Sequence, residues 1–116
     1  IKNYNNATLV NNGTLTLTKF NNSAAVENNE TLASATINNS GTFQNTEMIT
    51  TTNVVNTLTF GNTGTLTAIN TVTNAGTFTN AGGFIAAIVA NTLTVENIGA
   101  LTVSNRVTIT GTFTYI

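Results

Sequence analysis

Apolar and polar residues alternate along most of this chain, as in Thr14-Leu15-Thr16-Leu17-Thr18, Thr57-Leu58-Thr59-Phe60 and Asn91-Thr92-Leu93-Thr94-Val95. Successive side chains of a strand point to opposite faces, so period-two alternation with Thr at the polar places predicts half-buried β-strands. Asn and Gly interrupt the pattern every few residues and predict corners, where the backbone often needs positive φ. The longest apolar run, Phe84 to Ala90, is far shorter than the roughly 20 residues a membrane helix needs.

The pattern repeats. Ala7-Thr8-Leu9, Gly41-Thr42-Phe43, Gly76-Thr77-Phe78 and Gly111-Thr112-Phe113 begin 34, 35 and 35 residues apart, and the shorter first copy lacks one residue just before Thr36. Residues 1–116 therefore read as one domain with repeats 7–40, 41–75 and 76–110 and partial copies at 1–6 and 111–116. Stacking the copies leaves apolar columns such as Leu9/Phe43/Phe78/Phe113, Leu15/Ile49/Phe84, Phe20/Val54/Val89, Ala24/Leu58/Leu93, Val26/Phe60/Val95, Leu32/Leu66/Leu101 and Ile37/Val72/Val107. It also leaves four uniform Asn columns: Asn5/Asn39/Asn74, Asn11/Asn45/Asn80, Asn22/Asn56/Asn91 and Asn28/Asn62/Asn97.

Uniform inner columns and uniform Asn corners predict an all-β fold, a parallel β-solenoid (β-helix) open at both ends, in which equivalent residues stack about 4.8 Å apart. The expected architecture is about three 35-residue coils, preferred over two smaller coils per repeat because offsets of 17 or 18 residues give no comparable columns. Stacked Asn amides are expected to hydrogen-bond from coil to coil as ladders, and Asn56→Leu is expected to cost roughly 1–3 kcal/mol. The absence of Pro fits, since every inner strand must donate to its neighbours.

Composition narrows the chemistry. The 116 residues contain 27 Thr and 21 Asn but only three basic and four acidic side chains, with no His, Cys or Asp. Few groups titrate near neutral pH, so the chain is expected not to be an enzyme and to need no cofactor and no metal. Glu27 and Glu96 share a column, and in 35-residue coils they would lie about 10 Å apart, too far for a nucleophile and acid pair. Lys2, Lys19 and Arg106 make no basic stripe, and at a net charge of −1 nucleic acid is not an expected partner.

The runs Asn12-Gly13-Thr14-Leu15-Thr16, Asn74-Ala75-Gly76-Thr77-Phe78-Thr79-Asn80 and Asn91-Thr92-Leu93-Thr94-Val95 resemble the stalk repeats of bacterial secreted surface proteins. The similarity is to autotransporter passenger domains and filamentous-haemagglutinin-like adhesins, and it covers nearly the whole chain. It implies an extracellular, secreted or cell-surface location, a prokaryotic origin and a structural role.

Three surfaces carry candidate functions. Thr-x-Thr pairs such as Thr14/Thr16, Thr57/Thr59 and Thr92/Thr94 are similar to the ice-binding ranks of antifreeze solenoids, although Met48/Thr50 and Gly83/Ile85 break them. Phe84, Ile85, Ala87 and Ile88 lie in a segment apolar on both faces and form a candidate lateral interface. The chain opens and closes within a repeat without a charged cap, so Tyr4 at one end and Thr112, Phe113, Thr114 and Tyr115 at the other form a candidate end-to-end interface. Five Asn-x-Ser/Thr sequons begin at Asn6, Asn12, Asn21, Asn29 and Asn38, a number expected by chance in this composition. Ile1 is not an initiator Met, and the chain is expected to be a processed product or a slice of a longer solenoid. The expected function is a self-assembling filament subunit or adhesin stalk, with ice binding and carbohydrate binding along one face as the alternatives. Self-association into a homopolymer or longer solenoid is the expected partnership, with a host surface or glycan beside it and no membrane insertion.

Overall fold

The computed structural model describes residues 1–4 and 7–116, and the described residues form fourteen strands in two parallel sheets of seven. One sheet contains β1 (Lys2–Asn3), β3 (Thr14–Asn22), β5 (Thr31–Asn39), β7 (Met48–Asn56), β9 (Thr65–Asn74), β11 (Gly83–Asn91) and β13 (Ala100–Ile109). The other contains the short strands β2 (Thr8–Asn11), β4 (Ala25–Asn28), β6 (Thr42–Asn45), β8 (Thr59–Asn62), β10 (Thr77–Asn80), β12 (Thr94–Asn97) and β14 (Thr112–Tyr115). The chain alternates between the sheets, so one long and one short strand make each coil of a β-solenoid.

The coil is therefore 17 or 18 residues, half the expected length, and about seven coils replace three. Strand pairing is in register: Phe43 pairs with Phe60 and Phe60 with Phe78. A 35-residue repeat is a 17-residue coil followed by an 18-residue one. The added residue lies in a bulge of the ten-residue strands β9 and β13, where Ala68–Thr71 and Val103–Arg106 both face Ala86–Ile88. The corresponding strand β5 has no bulge, which is why the first repeat is one residue short before Thr36.

Alternation sends every second side chain inward, and the core is the stack of those side chains. The chain has six Phe, and each coil with a full long strand contributes one of them: Phe20, Phe43, Phe60, Phe78 and Phe84 are buried, and Phe113 is half-buried in the last coil. Coils whose short strand carries Val26 or Val95 place Phe20 or Phe84 on the long strand instead, so the cross-section stays filled at constant volume. The five buried rings form a continuous spine. Phe43–Phe60 and Phe60–Phe78 stack at 4.8 and 5.0 Å with interplanar angles of 7° and 1°. Phe60→Leu is expected to lower stability by about 1–2 kcal/mol, through a partial cavity and two lost ring contacts. Urea denaturation measures it.

Two inferences about the columns fail. Leu58 and Leu93 are 53% and 52% exposed, so Ala24/Leu58/Leu93 is a corner column facing solvent and no part of the core. None of the nine glycines has the left-handed φ expected at corners; several are needed because the preceding coil passes too close for a Cβ.

Candidate functional site

The most regular chemistry in the solenoid is its Asn amides. Each of the two turns between sheets follows an inward-pointing Asn that ends a strand, and these side chains join along the axis. The four columns read from sequence interleave into two ladders. In the first, Asn3 donates to Asn22, Asn22 to Asn39, Asn39 to Asn56, Asn56 to Asn74 and Asn74 to Asn91, each from Nδ2 to Oδ1 at 2.8–3.0 Å. In the second, Asn11, Asn28, Asn45, Asn62, Asn80 and Asn97 are linked at 2.6–2.7 Å. Asn5 lies outside the described residues, and Asn3 supplies the first rung in its place.

Every rung also ties down its own corner. Asn39 Nδ2 reaches the carbonyls of Gly41 and Thr59, and its Oδ1 accepts from the Gly41 N–H. All rungs donate in the same direction, toward the C-terminal coil, so the amide dipoles align and reinforce one another. No buried side-chain nitrogen or oxygen is left without a partner among the described residues. The ladders stop at Asn91 and Asn97, because their positions in the next coil are held by Ile109 and Tyr115.

Outward-facing residues form columns of their own. On the short-strand sheet one column runs Thr8/Ala25/Thr42/Thr59/Thr77/Thr94/Thr112, which is more continuous than the broken ranks read at a 35-residue period. Its neighbour, Val10/Glu27/Gln44/Gly61/Thr79/Glu96/Thr114, is mixed and carries two carboxylates, so one regular column stands where a planar hydroxyl array needs two. Glu27 and Glu96 are four coils apart along it, about 19 Å rather than 10 Å. Among the described residues no three of the His, Cys, Asp or Glu type come together.

The lateral candidate changes composition. Phe84 is buried at 1% exposure against Phe78, which removes it from any surface contact. Ile85 is 46% exposed, Ala87 and Ile88 are half-buried, and Ile69, 64% exposed, lies beside Ala87 where the bulge pushes the chain outward. At the ends, Tyr4, Thr112, Thr114 and Tyr115 are exposed and Phe113 is half-buried. The outermost strands β1, β2, β13 and β14 each pair on one side only among the described residues.

Sequence reading gave no weight to a groove of about 340 Å³ that runs across successive coils at one corner, bordered by Tyr4, Asn21, Asn38 and Val55. The signal for it was the outward Asn21/Asn38 pair, visible only once the coil length is 17. Comparison with protein-family models, with curated proteins and with solved structures returns no match for this chain.

Proposed function

We propose that this protein is a structural, non-enzymatic β-solenoid that serves as a rigid segment of an extracellular filament or adhesin stalk, of the kind found on bacterial surfaces. One observation carries the reading: strand pairing links every coil, and the two amide ladders run without a gap from Asn3 to Asn91 and from Asn11 to Asn97, so the regular chemistry of the chain is spent on stiffness and extension. Stalk repeats of secreted surface proteins use the same residues, Asn at corners and Thr on solvated strands, and the weakly charged Thr-rich surface keeps such an object wet without attracting polyions.

Extension follows from the edges. Among the described residues β13 and β14 present unpaired backbone groups at one end, and β1 and β2 present them at the other, so a second copy can continue both sheets. The joint lacks amide rungs, since Ile109 and Tyr115 meet the ladder positions of Asn3 and Asn11, and it is weaker than any interior coil contact.

Negative-stain electron microscopy and fibre diffraction of the purified protein test this. Filaments with a repeat near 4.8 Å along the axis are the expected result. Ile109→Asn combined with Tyr115→Asn, which supplies the missing rungs, is expected to lengthen them. Short monodisperse particles at every concentration, with or without those substitutions, would overturn the self-assembly reading.

A further inference from the structure

We infer that the corner groove beside Tyr4 is a binding site for an extended, neutral polysaccharide running parallel to the solenoid axis. Its wall is built from the same turn in successive coils. Ser23, Ser40 and Thr57 occupy equivalent places, and each hydroxyl donates to the carbonyl of the preceding coil: Ser23 to Asn3 at 3.3 Å, Ser40 to Asn22 at 3.1 Å and Thr57 to Asn39 at 3.2 Å. Their protons are committed, so each exposed oxygen is left as an acceptor, and these acceptors recur once per coil.

Beside them lies an amide pair that the fold leaves incomplete. Asn38 Nδ2 donates to Asn21 Oδ1 at 2.8 Å on the outer surface. The column continues as Val55, which cannot extend it. Among the described residues the Asn38 Oδ1 and the Asn21 Nδ2 at the groove therefore have no hydrogen-bond partner, one an acceptor and the other a donor. Tyr4, 47% exposed, closes one end with an aromatic ring.

This combination selects the ligand. A pyranose chain offers hydroxyl donors and acceptors at its ring edges and a C–H face that packs on an aromatic ring, and an extended chain repeats that set at each sugar. The wall repeats its own set at each coil. A peptide strand does not fit, because the backbone it would pair with is already used: Ser23, Ser40 and Thr57 donate their N–H groups to Asn3, Asn22 and Asn39 at 2.8–2.9 Å. A polyanion does not fit either. Among the described residues no charged side chain lines the groove, and Lys2, the one charge in the Asn21 column, lies at its end.

The test is an amide-detected NMR titration of the dispersed protein with cellohexaose, xylohexaose and, as a charged comparison, hexagalacturonate. This site does not rest on filament formation, so failure here leaves the structural reading standing. The expected result is shifts confined to Tyr4, Asn21, Asn38, Ser40 and Thr57 with a neutral chain, including both Asn side-chain amides. Binding should be weak, with Kd on the order of 1 mM, and Tyr4→Ala should weaken it roughly tenfold while leaving the melting temperature unchanged. Absence of shifts with both neutral chains at ten times that concentration would overturn the proposal. So would equal or tighter binding of hexagalacturonate, or affinity unchanged by Tyr4→Ala.

Discussion

Replacing Asn56 with Leu is expected to lower stability by about 3–5 kcal/mol, more than a single corner hydrogen bond would cost. Asn56 is fully buried and lies mid-ladder: it accepts from Asn39 at 2.8 Å and donates to Asn74 at 2.8 Å, to the Thr77 carbonyl at 3.1 Å and to the Leu58 carbonyl at 3.3 Å. Leu fills the space but satisfies none of these groups, so the amides above and below each lose a partner in a place water does not reach. Asn70→Ala serves as the comparison, since Asn70 is exposed at the bulge, and it should stay within about 0.5 kcal/mol of the parent. Urea denaturation of both variants measures the difference; equal midpoints would show that the ladder contributes no stability.

The second large effect concerns backbone approach. Gly64→Val is expected to cost about 3 kcal/mol or more, because a Cβ there overlaps the Glu47 carbonyl oxygen and lies 2.6 Å from the Glu47 nitrogen. Neither atom can swing aside, since both belong to the coil beneath, and the neighbouring Thr65 N–H bonds that same carbonyl at 2.6 Å. The two coils would have to separate, with loss of pairing on both sides of the corner. Gly13 occupies the same corner position in an earlier coil and has nothing among the described residues within 4 Å of its missing Cβ, so Gly13→Ala should be neutral or stabilising by a few tenths of a kcal/mol. Thermal unfolding that ranks the two variants equally would contradict the close-approach explanation.

Much of this was legible in the residues. Alternation marked the strands, uniform columns marked most inner positions, and the residue absent before Thr36 located the bulge of later coils. Coil length was misread for a physical reason. The series Asn22, Asn39, Asn56, Asn74 and Asn91 steps by 17, 17, 18 and 17, so no single offset holds register through the bulge at β9. Core packing hid the shorter period further, because Phe moves between the two sheets: Phe20 sits beside Ile37, and Phe43 beside Val26, to keep each cross-section filled. At 35 residues the bulge and the Phe positions repeat together, as in Phe43, Phe78 and Phe113. Leu58 and Leu93 misled in the opposite sense. They alternate with Gly41, Gly76 and Gly111 at a corner, and hydropathy alone does not tell a corner from a core. The groove at Tyr4 was invisible because its wall is assembled from residues one coil apart.

Everything above rests on neighbouring coils being 17 or 18 residues apart in sequence. Backbone NOEs in the uniformly labelled protein measure this most directly. The expected result is strong contacts linking Thr42 to Thr59 and Thr59 to Thr77, and none linking Thr42 to Thr77 directly. Direct Thr42–Thr77 contacts, with Thr59 remote from both, would instead mean a 35-residue coil and would contradict the ladders, the Phe spine and the groove together.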